Sequence, residues 1–120
     1  MVTTEKRRHI RINSLNLSDV VVNEEGDIVL QGMGRTLNVS ESGILLQTHF
    51  AIDLDQLVSM TIAFGEELLN LRGRVAHSKG GEDETSETGI EFFDVDEVSL
   101  LMLRKFIKAF EERNKNTAAR

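Results

Sequence analysis

The 120-residue chain has no cysteine, no tryptophan and no tyrosine, and six phenylalanines are its only aromatic residues apart from histidine. Without cysteine it can form no disulfide scaffold, zinc ribbon or thiol nucleophile. With neither tyrosine nor tryptophan to stack on bases, and a net charge of −6, it is poorly equipped to hold a nucleic-acid polymer. No stretch approaches the ~20 apolar residues that span a bilayer, so membrane insertion is not expected. Residues 1–12 carry charges and no apolar run, unlike a secretory signal. The length suits one domain that buries a core unaided, and the 40% hydrophobic content argues against disorder. A cytoplasmic protein is the expectation.

What charge there is lies unevenly. Residues 1–11 carry Lys6, Arg7, Arg8 and Arg11 against Glu5 alone. Residues 82–97 carry eight acids and no base, and from Arg104 onward six bases face two acids. A basic arm on an acidic body suggests a localised anion site.

Most of the chain has the period of strands. Val58, Met60, Ile62 and Phe64 alternate with small or polar residues, as do Leu69, Leu71, Gly73 and Val75. Gly65-Glu66-Glu67 reads as the hairpin between these runs. Shorter apolar runs fall at 20–22, 28–30, 37–39 and 44–46. The plainest turn among them is Asn23-Glu24-Glu25-Gly26-Asp27. A mobile loop is expected over 80–86, then a last strand through Ile90 and Phe92. Short antiparallel strands at this spacing indicate a small barrel or sandwich.

The end of the chain has helix period. Asp94 and Glu97 are spaced as a capping box, and Lys105, Lys108 and Arg113 suit the negative end of the helix dipole. The apolar positions from Val98 to Phe110 cover more than one stripe. That arc predicts a helix that caps the barrel and also meets a protein partner or a second copy, giving a homodimer. The expected organisation is a basic arm over 1–12, a barrel over 13–94, a helix over 95–113 and a frayed tail over 114–120.

Two motifs carry chemistry. Arg7-Arg8-His9-Ile10-Arg11 is an Arg-x-x-x-Arg ahead of the first strand, and Asn38-Val39-Ser40-Glu41-Ser42-Gly43 is an Asn-x-Ser-x-x-Gly between two strands. An arginine fork pairs with phosphate or with the O6/N7 edge of guanine. The Asn38 amide and Ser40 hydroxyl offer directional donors and acceptors. Gly43 permits a positive φ and a close approach of ligand to backbone. Together these residues suit a ligand that combines guanine with phosphate.

In these motifs, their order and the terminal helix, the chain resembles the PilZ domain, a bacterial receptor module for cyclic di-GMP. The resemblance covers about residues 5–113 and includes Leu71-Arg72-Gly73-Arg74-Val75 and Thr88-Gly89-Ile90-Glu91-Phe92. It implies a six-stranded antiparallel β-barrel with a C-terminal α-helix, the arginine arm folding over a ligand on the outer face. By resemblance Arg7 and Arg11 grip phosphate and guanine, Asn38 reads a guanine edge, Ser40 contacts the ligand and Gly43 makes the tight turn. Arg8 lies inside the first motif at a variable position and joins the candidate set. Lys6 stands where the family's residue influences whether one or two nucleotides bind.

Other residues read as structure. His9, His49 and His77 lack ligand spacing, so no metal is expected. His77 continues the inward alternation after Val75 and reads as a barrel-end histidine. Arg72 and Arg74 point away from the core as surface arginines. No nucleophile–base pair is present, so the chain is expected to be no enzyme and to need no cofactor. The expected role is a cyclic di-GMP receptor that relays its signal to a downstream effector protein in motility, pili or biofilm formation. The alternative is an adaptor of the same fold with weak or no nucleotide binding.

Overall fold

A computed structural model describes residues 17–64 and 66–118. The expected arm over 1–12, with Arg7, Arg8 and Arg11, lies outside the described residues. Six strands follow in order: β1 (Leu17–Glu24), β2 (Asp27–Val39), β3 (Gly43–Thr48), β4 (Leu57–Phe64), β5 (Glu67–Gly80) and β6 (Ser86–Phe93). One helix, α1 (Glu97–Ala118), follows them. The strands pair antiparallel and close in the order β1-β2-β3-β6-β5-β4, with β4 returning to β1. The sheet therefore has no free edge, and the expected six-stranded barrel with a terminal helix is the fold observed.

Alternation builds the core. Val20 and Val22 of β1, Met60 and Ile62 of β4, and Leu69 and Leu71 of β5 all point inward and are buried. The helix adds Leu103, Phe106 and Phe110, and the rings of the two phenylalanines lie 6.2 Å apart. Much of the helix's apolar arc is thus core. Val98 and Leu101 stay exposed, at 69% and 58%. Among the described residues no helix is long and apolar enough to cross a membrane.

The β1–β2 turn forms where expected. Glu25 and Gly26 both have positive φ, 52° and 86°, the pair that a type I′ hairpin needs. Four expectations change. The runs at 28–30 and 37–39 belong to one 13-residue strand, because Gly32 and Gly34 between them make room and do not turn. A Cβ at Gly32 would fall 2.6 Å from the Phe50 ring, and one at Gly34 would fall 2.9 Å from Val20. The 80–86 connection is a bonded turn, in which Gly81 N donates to Thr85 O at 2.8 Å and Thr85 Oγ1 to Glu82 O at 2.6 Å. The helix starts two residues later than expected and runs on to Ala118, through the expected tail. Its cap is Asp96, which accepts from Ser99 N at 2.7 Å, and not Asp94. Asp94 instead adopts φ 55° and faces Arg72 at 3.4 Å. The Ser99 bonds hold the Asp96 carboxyl below its ordinary pKa of 3.8.

Candidate functional site

Two β-bulges prepare the candidate site. On β2, Thr36 pairs with Leu46, then Asn38 pairs with Leu45, leaving Leu37 as an extra residue. On β5, Val75 pairs with Ile90, then His77 pairs with Gly89, leaving Ala76 extra. Strict alternation from the buried Thr36 and Val75 would send Asn38 and His77 into the core. Each bulge reverses that phase, and both residues emerge on the outer face. The expected barrel-end histidine is therefore a surface residue.

The registers then align one row across four strands: Asn38 on β2, Leu45 on β3, Gly89 on β6 and His77 on β5. Gly89 has no side chain, and the His77 ring occupies the space that a Cβ there would need. The next row holds Gly43, Glu91 and Arg74. The first row, with Gly43 and Glu91 of the second, floors an open groove of about 350 Å³. Asn38, Ser40, Gly43, His77 and Glu91 all line it. The structure thus brings together the three motif residues it describes.

Their local roles differ from the expected ones in part. Asn38 Oδ1 accepts its neighbour's Val39 N at 2.9 Å. The other end of that amide keeps two hydrogens for a ligand's acceptors. Ser40 Oγ accepts from Ser42 N at 3.2 Å and lies 3.0 Å from Ser42 Oγ, while Ser40 N donates to Gly43 O at 2.8 Å. The hydroxyl therefore shapes the tip as well as facing the groove. Gly43 lacks the positive φ expected of it; among the described residues Gly26 is the glycine that has one. Its requirement is space: a Cβ at 43 would run into the carbonyl oxygen of Ile90 on β6.

His77, Glu91 and Ala76 are groove residues that the sequence did not mark as site candidates. No local pattern marks a bulge, since it exists only in the pairing of distant strands. Glu91 is an exposed acid in the wall, and it works against any anion that settles there.

A second groove of about 540 Å³ lies between β4, β5 and the start of α1, lined by Thr61, Asn70, Arg72, Asp94 and Asp96 among others. Its polar groups are engaged with one another. Thr61 Oγ1 donates to Asn70 Oδ1 at 2.9 Å, and Arg72 sits over the Phe93 ring at 5.3 Å while bonding Asp94. Among the described residues no cluster of histidines and acids has the arrangement of a metal site.

A model of the PilZ domain matches residues 5–109, most of the chain. No curated protein matches it at a significant level. The chain belongs to the PilZ domain family.

Proposed function

We propose, from that membership in a family of cyclic di-GMP receptors, that this chain binds cyclic di-GMP in the groove floored by Asn38, Leu45, Gly89 and His77. The observation that carries the proposal is the convergence of Asn38, Ser40 and Gly43 on one open surface. Asn38 turns its amide donors to the O6/N7 edge of a guanine. Arg7 and Arg11, with Arg8 beside them, bring the positive charge that the groove lacks and close on the phosphates with charge-assisted bonds. Binding reshapes the surface offered to an effector protein, and the domain acts as an adaptor, not an enzyme.

One observation favours a second reading, an adaptor with weak or no nucleotide binding: the Glu91 carboxylate stands in the groove wall without a partner among the described residues. Calorimetric titration with cyclic di-GMP, with GMP and GTP as controls, decides between them. Saturable binding of the cyclic dinucleotide alone supports the receptor. Absence of heat at high ligand concentration supports the adaptor.

A further inference from the structure

The tip that carries Ser40 and Gly43 lacks the usual support of a short hairpin. Two-residue loops are most stable with positive φ at one or both central positions, because that twist matches the strands. The Glu25-Gly26 turn has it, whereas no residue from Ser40 to Gly43 does. The Glu41-Ser42 tip is held from outside instead. Phe92 N donates to Ser42 O at 2.9 Å, and the Arg104 fork reaches Glu41 at two points, Nε to Oε2 at 3.1 Å and Nη2 to Oε1 at 3.4 Å.

Arg104 stands on a fixed post. Its helix is anchored by Leu103 and Phe106, both fully buried. Glu41 is the single acid within Asn38-Val39-Ser40-Glu41-Ser42-Gly43. A planar fork on both carboxylate oxygens fixes direction as well as distance, which an ammonium does not. It also offsets a negative charge next to a surface that must accept an anion.

We propose that Arg104 is a positioning residue for the ligand groove. Its grip on Glu41 holds the β2–β3 tip so that Ser40 and Gly43 keep their places in the wall, and it ties the state of that tip to α1. The affinity part of this inference rests on the cyclic di-GMP reading, whereas the bracing part does not.

The test compares Arg104→Ala, Arg104→Lys and the double exchange Glu41→Arg with Arg104→Glu in the full chain. Amide hydrogen exchange is followed without ligand, and cyclic di-GMP affinity is measured by calorimetry. In Arg104→Ala, exchange at 41–43 speeds up and affinity falls about two- to fivefold, the scale of an exposed ion pair, with Tm lowered by no more than a few degrees. Lysine recovers only part of each effect, and the double exchange restores slow amide exchange. Unchanged exchange at 41–43 in Arg104→Ala, or full recovery by lysine, overturns the proposal. If the wild-type chain binds no cyclic di-GMP while Arg104→Ala still loosens the tip, the functional reading fails and the bracing stands.

Discussion

The groove at Asn38–Gly43 holds about 350 Å³ and the groove beside the start of α1 about 540 Å³, yet the smaller one is the proposed binding site. In the larger groove the charged groups are already paired, Arg72 with Asp94 and Asp96 with Ser99, and Thr61 bonds the carbonyl end of Asn70. In the smaller one the Asn38 amide hydrogens and the face of His77 are turned outward by bulges, with the His77 ring packed over Gly89. A ligand that enters the first must break existing bonds, whereas one that enters the second satisfies groups now facing water. Prior pairing of the charged groups separates the two grooves better than volume does.

The largest expected effect lies with Arg7 and Arg11, the proposed source of positive charge for the smaller groove. A charge-assisted bond contributes about 1.5–3 kcal/mol, so Arg7→Ala or Arg11→Ala should weaken cyclic di-GMP binding by about 10- to 150-fold in calorimetry. Tm without ligand should stay where it is. Normal affinity in either variant would remove the charge source from the account.

Gly43→Val should affect stability and binding together. Its branched side chain has to displace the Ile90 backbone, and overpacking of this kind costs about 1–3 kcal/mol. The β3–β6 contact would open and carry Ser40 with it. Denaturant unfolding combined with titration checks this, and a valine variant of native stability would contradict the close approach.

Arg72→Ala sharpens the comparison from the other side. Its pair with Asp94 is exposed on both members, 60% and 71%, so stability should change by less than about 1 kcal/mol. Cyclic di-GMP affinity should remain within twofold. A large loss of affinity would move the site to the second groove.

Asp96, in the wall of the second groove, gives the smallest expected effect on affinity and a pH signature in stability. Its carboxyl titrates below its ordinary 3.8 because the ionised form accepts the Ser99 bonds at the helix start. The ionised cap therefore stabilises the fold above about pH 4, and that contribution disappears as pH falls through the lowered value. Asp96→Ala should melt below wild type at pH 7, and the two should converge as pH drops under 4. A gap that persists at low pH would contradict the cap.

Much of this was legible in the sequence, for a physical reason. Alternation at 58–64 and 69–75 reports burial of one sheet face directly, and Glu25-Gly26 carries its turn geometry locally. Asn38, Ser40 and Gly43 could be grouped because a short hairpin keeps them together. What depends on distant partners was not readable. Gly32 and Gly34 look like breakers until Phe50 and Val20 are seen to need their space. Gly43 looks like a positive-φ glycine until Ile90 is seen behind it. His77 follows the inward phase until the bulge at Ala76 reverses it. Asp94 and Asp96 are both competent caps, and only the Arg72 side chain across the sheet shows why the first is otherwise engaged.

The central claim, that the smaller groove and not the larger is the ligand site, is tested most directly by a heteronuclear NMR titration of the full chain with cyclic di-GMP. The Asn38 side-chain amide and the backbone amides of Gly43, Ala76, His77 and Gly89 should shift together and saturate at one affinity. The Asn70 side-chain amide and the amides of Thr61 and Ser99 should stay in place. Shifts centred on Asn70 and Ser99, or no shift at Asn38 and Gly89 under saturating ligand, would contradict the claim.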